Sequence, residues 1–261
     1  MPDGLIVIDK PQGVTSHDVV AAVRSVLHVK RVGHAGTLDP MATGVLVIGF
    51  GYVTRLLNYI VDHHKTYEAT IRLGLRTTTE DAEGEIIEWP AEEREHVRAQ
   101  IAALSREAIE QAVNTHLMGE ISQVPSSYSA VKINGKHAYD LAREGKEVAL
   151  EPRQVTIDSF DVLAVHEPDA AQGTRDIDVR VACSAGTYIR ALARDLGHIL
   201  GVGGYLTRLR RTHVGAFSLE GPHVLPARSE EHSFTTRDGR HETRMRARLD
   251  TTKEQLLDAA L

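Results

Sequence analysis

The sequence predicts a mixed α+β fold and not a doubly wound parallel sheet. Some segments alternate apolar and polar residues over the length of a strand, and short apolar runs predict further buried strands. Helical periodicity is scattered among them without the regular strand–helix rhythm that βαβ units require. With 261 residues and 42% hydrophobic composition, the chain can bury the core of one large domain or two modest ones.

The first elements are a strand, a helix and a glycine-rich loop. The strand is predicted from Gly4 to Asp9, and the pair Thr15-Ser16 predicts where the helix starts. The apolar stripe of this helix consists of Val19, Val23, Val26 and Leu27. The loop follows at 33–44.

Two strands and a helix are predicted after the loop. Residues 45–49 form an apolar run that predicts a buried strand, and 52–61 are predicted to be helical. From Tyr67 to Leu73 apolar and polar residues alternate, which is typical of a half-buried strand. Tyr67 should therefore point inward.

The second half contains two more helices and two more strands. Residues 105–118 carry a helical stripe that ends at Gly119, and another helix is predicted over 187–200. Strands are predicted near 155–165 and 177–183. The tail after Pro226 is polar and arginine-rich, and a short amphipathic helix is expected to end near residue 260.

The segment 121–150 differs from its surroundings. It contains the hairpin signal Asn134-Gly135 and a short helix that should end near Gly145. Its basic side chains are Lys132, Lys136, Arg143 and Lys146.

Charge is distributed unevenly along an acidic chain. The formal net charge is −6, which by itself argues against a nucleic-acid partner. However, residues 80–120 hold eleven acidic side chains against three arginines, whereas 175–211 hold seven arginines against three aspartates. This asymmetry is compatible with one basic, RNA-binding face on an acidic protein.

Several classes of protein are disfavoured by composition. Neither a membrane span nor a secretion signal is visible, so we expect a soluble, cytoplasmic protein. Cys183 is the single cysteine, which excludes an internal disulfide and a cysteine-clustered zinc site, and we expect it in the core. The histidines lack metal-binding spacing, and 201–204 lacks the features of a P-loop, so neither a metal nor a nucleotide cofactor is expected.

The loop at 33–44 is the most informative segment. It reads GHAGTLDPMATG, and its glycines and proline exclude a regular helix or central strand. Its one carboxylate, Asp39, directly precedes Pro40, which favours an extended backbone at the aspartate. The loop therefore holds a carboxylate in a shaped, irregular segment.

This loop resembles the catalytic loop of the TruB-type tRNA pseudouridine synthases, in which the aspartate that corresponds to Asp39 is essential. Three further segments match the same family in the expected order, and the resemblance runs from about Gly4 to Gly215. These segments are Lys65-Thr66-Tyr67, Gly186-Thr187-Tyr188-Ile189-Arg190 and Leu209-Arg210-Arg211.

The resemblance implies a pseudouridine synthase fold, with a mainly antiparallel central sheet flanked by helices. Residues 1–226 would form the catalytic domain, with 121–150 as an insertion that folds over RNA. Residues 227–261 would complete that domain, and the family's small C-terminal RNA-binding domain is expected to be absent or truncated. The implied activity converts a uridine of the tRNA TΨC loop, position 55, to pseudouridine without a cofactor. A monomer without an obligate protein partner is expected.

Three residues are candidates for the chemistry. Asp39 could attack ribose C1′ or remove the C2′ proton, and the sequence leaves both routes open. An ionised carboxylate in a secluded pocket needs a cationic partner, which by resemblance is Arg190, expected to lie off the apolar stripe of its helix. Tyr67, also by resemblance, would stack on the uracil and accept the C5 proton directly or through water.

The remaining candidates would bind RNA. The target base must leave its stack, and by resemblance His34 would lie against the flipped nucleotide. Leu209 and Tyr188 would line the pocket, and Asp81 matches a motif near the RNA surface. Phosphate contacts are expected from six basic residues, which are Lys10, Lys132, Lys136, Arg208, Arg210 and Arg211.

Three other functions were weighed against this one. A guide-RNA-dependent relative of the dyskerin type is disfavoured because no segment beyond the catalytic core suggests docking to partner proteins. A nucleoside or glycoside hydrolase would need a second carboxylate, which the Asp39 loop does not offer. A non-catalytic tRNA-binding protein would bind RNA equally well with asparagine at position 39.

Overall fold

The structure is a computed structural model that describes residues 2–129, 131–133, 135–145, 149–221, 223–236 and 238–261. The chain forms two compact units. Unit 1 comprises Met1–Tyr67 and Leu209–Leu261, and unit 2 comprises Glu68–Arg208.

The described elements confirm a mixed α+β fold. The strands, in chain order, are β1 Gly4–Lys10, β2 Val32–His34, β3 Thr43–Phe50, β4 Lys65–Leu73, β5 Arg76–Thr77, β6 Ile86–Ile87, β7 Gly119–Gln123, β8 Lys132–Ile133, β9 Lys136–His137, β10 Arg153–Val165, β11 Arg175–Cys183, β12 Gly204–Val214, β13 Phe217–Ser218, β14 Val224–Pro226, β15 Arg228–Thr235 and β16 His241–Arg248. The helices are α1 Ser16–Leu27, α2 Leu57–Val61, α3 Ala91–Ala103, α4 Arg106–His116, α5 Ala138–Arg143, α6 Ile189–Ile199 and α7 Lys253–Asp258, with a 3₁₀ helix at Gly51–Leu56.

Unit 1 is built around β1 and β3. These strands pair antiparallel over their whole length, β14 adds to β1 in parallel, and the end of β12 adds to β3 in parallel. Strand β2 pairs with the far end of β3 and leads into the loop that contains Asp39. One buried apolar cluster holds these strands to α2, and it consists of Val7, Ala35, Val45, Val47, Leu57, Ile60 and Val214.

Helix α1 and the β15–β16 hairpin pack together in unit 1. The helix starts at the predicted place, because Thr15 and Asp18 form a reciprocal capping box. The hairpin buries Ala247 against the rest of the unit, although almost every other residue of β16 is exposed. The sequence did not predict this hairpin, because it lacks an apolar face.

Unit 2 contains the long antiparallel pair β10–β11, with β7 on the outer side of β10. The predicted alternation of β4 is confirmed, since every second residue from Lys65 to Leu73 is buried. Cys183 is fully buried at the end of β11, as expected of a core thiol. Strands β10 and β11 also match the predicted strand segments.

The helices differ from the predictions mainly at their ends. The segment predicted as one helix over 52–61 is a 3₁₀ helix followed by α2. Helices α4 and α6 are each shorter than predicted but lie in the predicted segments. Helix α3 was missed, because only Val97 and Ile101 on it are buried and its remaining surface is polar. Every helix among the described residues falls short of the length and apolar character that a membrane span needs.

Candidate active site

The loop between β2 and β3 holds Asp39 in a tight turn of unit 1. The backbone N–H of Ala42 donates to the carbonyl of Asp39 at 3.1 Å, and the N–H of Gly13 donates to the carbonyl of Pro40 at 2.8 Å. Asp39 itself is half-buried, whereas its neighbour Leu38 is buried. The backbone carbonyls of Asp39 and Pro40 are thus fixed by hydrogen bonds, while the Asp39 side chain still reaches the surface.

Lys10 supports this loop from inside the molecule. Its side chain is fully buried, and the ammonium donates to the carbonyls of Ala42 at 2.7 Å, Pro11 at 2.9 Å and Pro40 at 3.3 Å. A buried ammonium is tolerated only when its donors are used, and three carbonyls match its three protons. The predicted phosphate contact by Lys10 is therefore replaced by a structural role, because a phosphate cannot reach a fully buried ammonium.

Arg211 holds the two ends of the loop together. Its side chain is 1% exposed, and its guanidinium donates to Val45 at 2.8 Å, to Gly36 at 3.0 Å and to Thr37 at 3.4 Å, in each case to the carbonyl. The predicted phosphate contact by Arg211 is corrected for the same reason as that of Lys10. Two cations therefore lie beneath the Asp39 loop.

His34 lies at the end of β2, next to His17 of helix α1. The two imidazole rings meet edge to face with centroids 5.4 Å apart. The pKa of His34 is lowered from 6.5 to about 4, chiefly by burial and then by the charges of His17 and Arg211, while a hydrogen bond with the backbone of Gly36 acts in the opposite direction. His34 is therefore neutral at physiological pH and presents a flat, uncharged ring beside the loop.

Tyr67 and Leu209 are both buried in unit 1. Tyr67 is 7% exposed, which confirms that it points inward, and Leu209 is 5% exposed. Strands β4 and β12 are neighbours here, and the hydroxyl of Thr212 donates to the carbonyl of Thr66 at 3.2 Å. The catalytic role of Tyr67 and the pocket role of Leu209 stay predictions.

Arg210 is partly exposed and already paired. Its guanidinium donates to both carboxylate oxygens of Asp9, at 3.0 and 2.8 Å, and to the hydroxyl of Thr43 at 3.2 Å. One third of the side chain is exposed. A phosphate contact by Arg210 remains a prediction, and it would compete with this bidentate pair.

Arg190 is a buried side chain of unit 2. It is 4% exposed, and it donates at 3.0 Å to the Thr79 carbonyl and the Ser126 hydroxyl and at 2.9 Å to the Tyr128 carbonyl. Arg190 was expected to lie off the apolar stripe of its helix, and its side chain is nevertheless buried, because residues of two loops cover the start of α6. Its Nε lies 3.7 Å from a carboxylate oxygen of Asp81.

Asp81 belongs to a strained, closed loop. It is 4% exposed and accepts hydrogen bonds from the Thr79 hydroxyl and the Glu83 backbone N–H. Glu80 has a φ of 64°, in the left-handed region that non-glycine residues seldom adopt. The buried carboxylate of Asp81 therefore helps to hold this loop against Arg190. Its position near RNA stays a prediction.

Tyr188 precedes α6, and the side-chain amide of Gln123 fixes its backbone. The amide oxygen of Gln123 accepts from the Tyr188 N–H at 2.9 Å, and the amide nitrogen donates to the Tyr188 carbonyl at 3.2 Å. This double hydrogen bond explains why the helix begins after Tyr188 and not at Thr187. The side chain of Tyr188 is half-buried, and its pocket role stays a prediction.

The other predicted phosphate contacts differ in exposure. Arg208 is about half exposed and lies 3.6 Å from Asp178, while Lys136 is exposed. The side chains of Lys132 and Arg143, together with Asn134 and Lys146, lie outside the described residues. Within the described part of the chain, no group of three or more His, Cys, Asp or Glu side chains could hold a metal ion.

Two family models match the chain in succession. The N-terminal domain of the TruB family pseudouridylate synthases matches residues 24–189, which include the Asp39 loop and Tyr67. The tRNA pseudouridylate synthase B C-terminal domain matches residues 190–259. The chain belongs to the TruB family. It is therefore a pseudouridine synthase, an isomerase that converts uridine to pseudouridine.

Individual relatives agree with the family models. A protein named tRNA pseudouridine synthase B from Bifidobacterium longum subsp. infantis is 53% identical, and the match covers 96% of this chain and 76% of the relative. A protein of the same name from an Arthrobacter species is 55% identical, with 88% of this chain and 72% of the relative covered.

Solved structures of the same fold are also similar. A chain of a Cbf5-Nop10-Gar1 complex matches with a TM-score of 0.62 and 30% identity over 85% of this chain. A chain of an H/ACA RNP bound to a substrate RNA that contains 2′-deoxyuridine matches with a TM-score of 0.58 and 28% identity. This chain spans about half of each, 52% and 50% respectively.

Sequence reasoning missed the side chains that support the TruB-family loop. Lys10 and Arg211 were chosen as RNA contacts from residue type, which carries no information on burial. Their burial could have been inferred only from their position next to apolar strand segments, since Lys10 ends β1 and Arg211 lies within β12. The ion pair between Arg194 and Glu80, at 2.7 Å, gave no sequence signal.

Proposed function

We propose that this TruB-family enzyme acts on tRNA and isomerises one uridine of the TΨC loop, position 55 in standard tRNA numbering. Relatives at 53% and 55% identity carry the name tRNA pseudouridine synthase B. The observation that carries the proposal is the Asp39 loop, where two buried cations and a tight turn hold a half-exposed carboxylate. The reaction needs no cofactor, because it involves neither a redox change nor phosphate energy.

The chemistry separates into cleavage, rotation and rejoining. The bond from ribose C1′ to uracil N1 breaks, the detached base turns, and a bond from C1′ to C5 forms. The C5 proton then leaves, and N1 gains a proton. Asp39 can assist either by attacking C1′ or by removing the C2′ proton, and both routes need its carboxylate ionised at the start.

Three side chains would assist Asp39. We assign the charge that balances this carboxylate to Arg190, and this interaction would come in addition to its hydrogen bonds to Thr79, Ser126 and Tyr128. Tyr67 would stack on the uracil and accept the C5 proton directly or through water. His34 would contact the nucleotide flipped out of the stack, and its neutral ring suits stacking. Leu209 and Tyr188 would complete the pocket wall.

We further propose that RNA is bound by the accessible basic residues and that the enzyme acts as a monomer. Arg208, Arg210 and Lys136 have exposed or partly exposed side chains, and Lys132 joins them by the family resemblance. Asp81 would act near the RNA by ordering its loop.

The test is pseudouridine formation on an unmodified tRNA transcript without metal, nucleotide, guide RNA or partner protein. Pseudouridine would be mapped by primer extension after carbodiimide treatment. We compare wild type, Asp39→Asn and a matched control, Asp62→Asn, which changes an exposed carboxylate of the same unit. We expect a single stop in the TΨC loop with wild type and the control, and none with Asp39→Asn.

Two outcomes would contradict the proposal. Undiminished turnover by Asp39→Asn would remove the aspartate mechanism. A stop that appears only when a guide RNA is added would favour a guide-dependent enzyme. Binding of the transcript by Asp39→Asn, measured by filter retention, shows that the variant is folded and that only chemistry is lost.

A further inference from the structure

Ser16 binds the loop residue that directly precedes Asp39. Its hydroxyl donates to the carbonyl of Leu38 at 3.1 Å and accepts from the backbone N–H of Leu38 at 2.8 Å. Ser16 is 1% exposed, so water does not compete with these two hydrogen bonds. Both polar groups of the Leu38 backbone are therefore held by one side chain.

These bonds restrict the backbone of Asp39 itself. The Leu38 carbonyl belongs to the peptide unit that contains the Asp39 nitrogen, and a peptide unit is planar. The next two carbonyls are also held, that of Asp39 by the Ala42 N–H and that of Pro40 by the Gly13 N–H. With Ser16 in place, three consecutive carbonyls of the loop have defined partners.

Ser16 is anchored on a rigid element. It is the first residue of α1, a helix of 12 residues. The helix buries Val19 and Val23 in unit 1, so the hydroxyl is part of the core and not of a mobile surface. A catalytic group on a loop gains precision when its support stands on such an element.

We propose that Ser16 is a positioning residue for Asp39. The inference rests on the proposed catalytic role of Asp39. Ser16 is 1% exposed, so its hydroxyl is out of reach of a bound RNA. It acts through Leu38 by setting the position from which the Asp39 carboxylate approaches the ribose. Displacements of about 1 Å in a reacting group can cost roughly 100-fold in rate.

The closing experiment compares Ser16→Ala with Thr15→Ala, a matched control on the same helix. Thr15→Ala removes the helix cap, which costs about 1 kcal/mol of stability, but it leaves the Leu38 bonds intact. Turnover is measured as release of C5 tritium from labelled tRNA transcript, well below the melting temperature of every variant. KM, kcat and melting temperature are obtained for each.

We expect kcat of Ser16→Ala to fall about 10- to 100-fold with little change in KM, because RNA binding is untouched while the carboxylate is misplaced. Thr15→Ala should lose melting temperature but keep wild-type kcat. Ser16→Cys retains a weaker donor and acceptor of similar size, so its kcat should lie between those of wild type and Ser16→Ala. It also provides the measurement if the alanine variant does not fold.

Wild-type kcat in Ser16→Ala or Ser16→Cys would overturn the inference, as would an equal loss of kcat in Thr15→Ala. Asp39→Asn is measured in the same series. If it is inactive while Ser16→Ala keeps full kcat, only the positioning role fails. If Asp39→Asn turns over normally, the proposed function fails as well.

Discussion

Arg211 is a single side chain on which the geometry of the Asp39 loop depends. Its guanidinium reaches carbonyls at both ends of the loop, on Gly36 and on Val45. A charged donor that bonds to a carbonyl contributes about 1.5–3 kcal/mol, and an ammonium cannot reproduce the planar fork that spans the two ends.

We therefore expect Arg211→Lys to lower the free energy of unfolding by roughly 2–4 kcal/mol. The matched control is Arg210→Lys on the same strand, where the guanidinium is one-third exposed and the loss should be about 1 kcal/mol or less. Urea denaturation of both variants measures the difference. Equal losses would mean that the buried bonds contribute no more than the exposed ion pair.

His34 makes stability depend on pH. The pKa of His34 is about 4 in the folded protein and near 6.5 when unfolded, so the unfolded chain binds an extra proton between these values. The stabilisation from the neutral ring is complete above pH 6.5 and is lost as the pH falls towards 4. We expect His34→Gln to lose less stability than wild type between pH 6.5 and pH 4.5, as measured by urea midpoints. Parallel losses in the two proteins would contradict this assignment.

At the residue level, the sequence identified side chains by type and could not identify their partners. Asp39 stood out because it is the one carboxylate in a glycine-rich loop, and the family resemblance supplied its role. Lys10 and Arg211 lie far apart in the sequence, so the loop that both support is visible only after folding. The same limit applies to Arg190, whose partners Thr79 and Ser126 lie in loops that are distant from it in sequence.

Among the elements, the junction of β3 with β12 requires a glycine. Gly44 has a φ of +105°, and a Cβ placed there would lie 2.1 Å from the carbonyl oxygen of Arg211. Gly13 also has a positive φ, +84°, but a Cβ there would meet nothing within 4 Å. A side chain at Gly13 would therefore meet only the strain of a positive φ, whereas one at Gly44 would also clash with the backbone of β12.

We expect Gly13→Ala to cost about 1–2 kcal/mol, from the left-handed conformation alone. Gly44→Ala should cost more than that, because the strand pair Arg211–Gly44 must move apart. Thermal melting of the two variants gives the comparison. A similar melting temperature for both variants would show that β12 can move away from the new Cβ without a loss of stability.

Elements with a clear apolar pattern were predictable, whereas those without one were not. The alternation in β4 and the cap of α1 gave correct predictions because burial and capping are local properties of the sequence. Helix α3 and the β15–β16 hairpin have few buried residues, so their sequences show neither the helical nor the alternating apolar pattern that would predict them. The start of α6 depends on Gln123, a residue distant in sequence.

For the whole molecule, the formal charge of a segment is a poor measure of the charge that it can offer to a phosphate. The seven arginines of 175–211 suggested a basic face, yet five of them lie within 4 Å of a carboxylate. These pairs are Arg180–Glu68, Arg190–Asp81, Arg194–Glu80, Arg208–Asp178 and Arg210–Asp9. Four of the five acidic partners come from other segments, which a count along 175–211 does not include, and only Asp178 lies within it.

We therefore expect tRNA binding to depend only moderately on salt. Seven arginines on phosphates would give a slope of about −5 to −6 for log affinity against log salt concentration. With most of these arginines paired, we expect a slope of about −3 or shallower. Filter binding between low and moderate KCl concentrations measures it, and a slope near −6 would show that RNA displaces the carboxylates.

Trp89 is the only tryptophan of the chain, and it lies in unit 2. Its indole N–H donates to the Gly74 carbonyl at 2.8 Å, and the guanidinium of Arg76 lies 4.0 Å from the ring centroid. Intrinsic fluorescence excited at the red edge of the absorption band therefore reports on unit 2 alone, whereas far-ultraviolet circular dichroism averages over both units. Wild-type protein thus carries a built-in optical reporter that reveals, without any label, whether the two units melt in one step or in two.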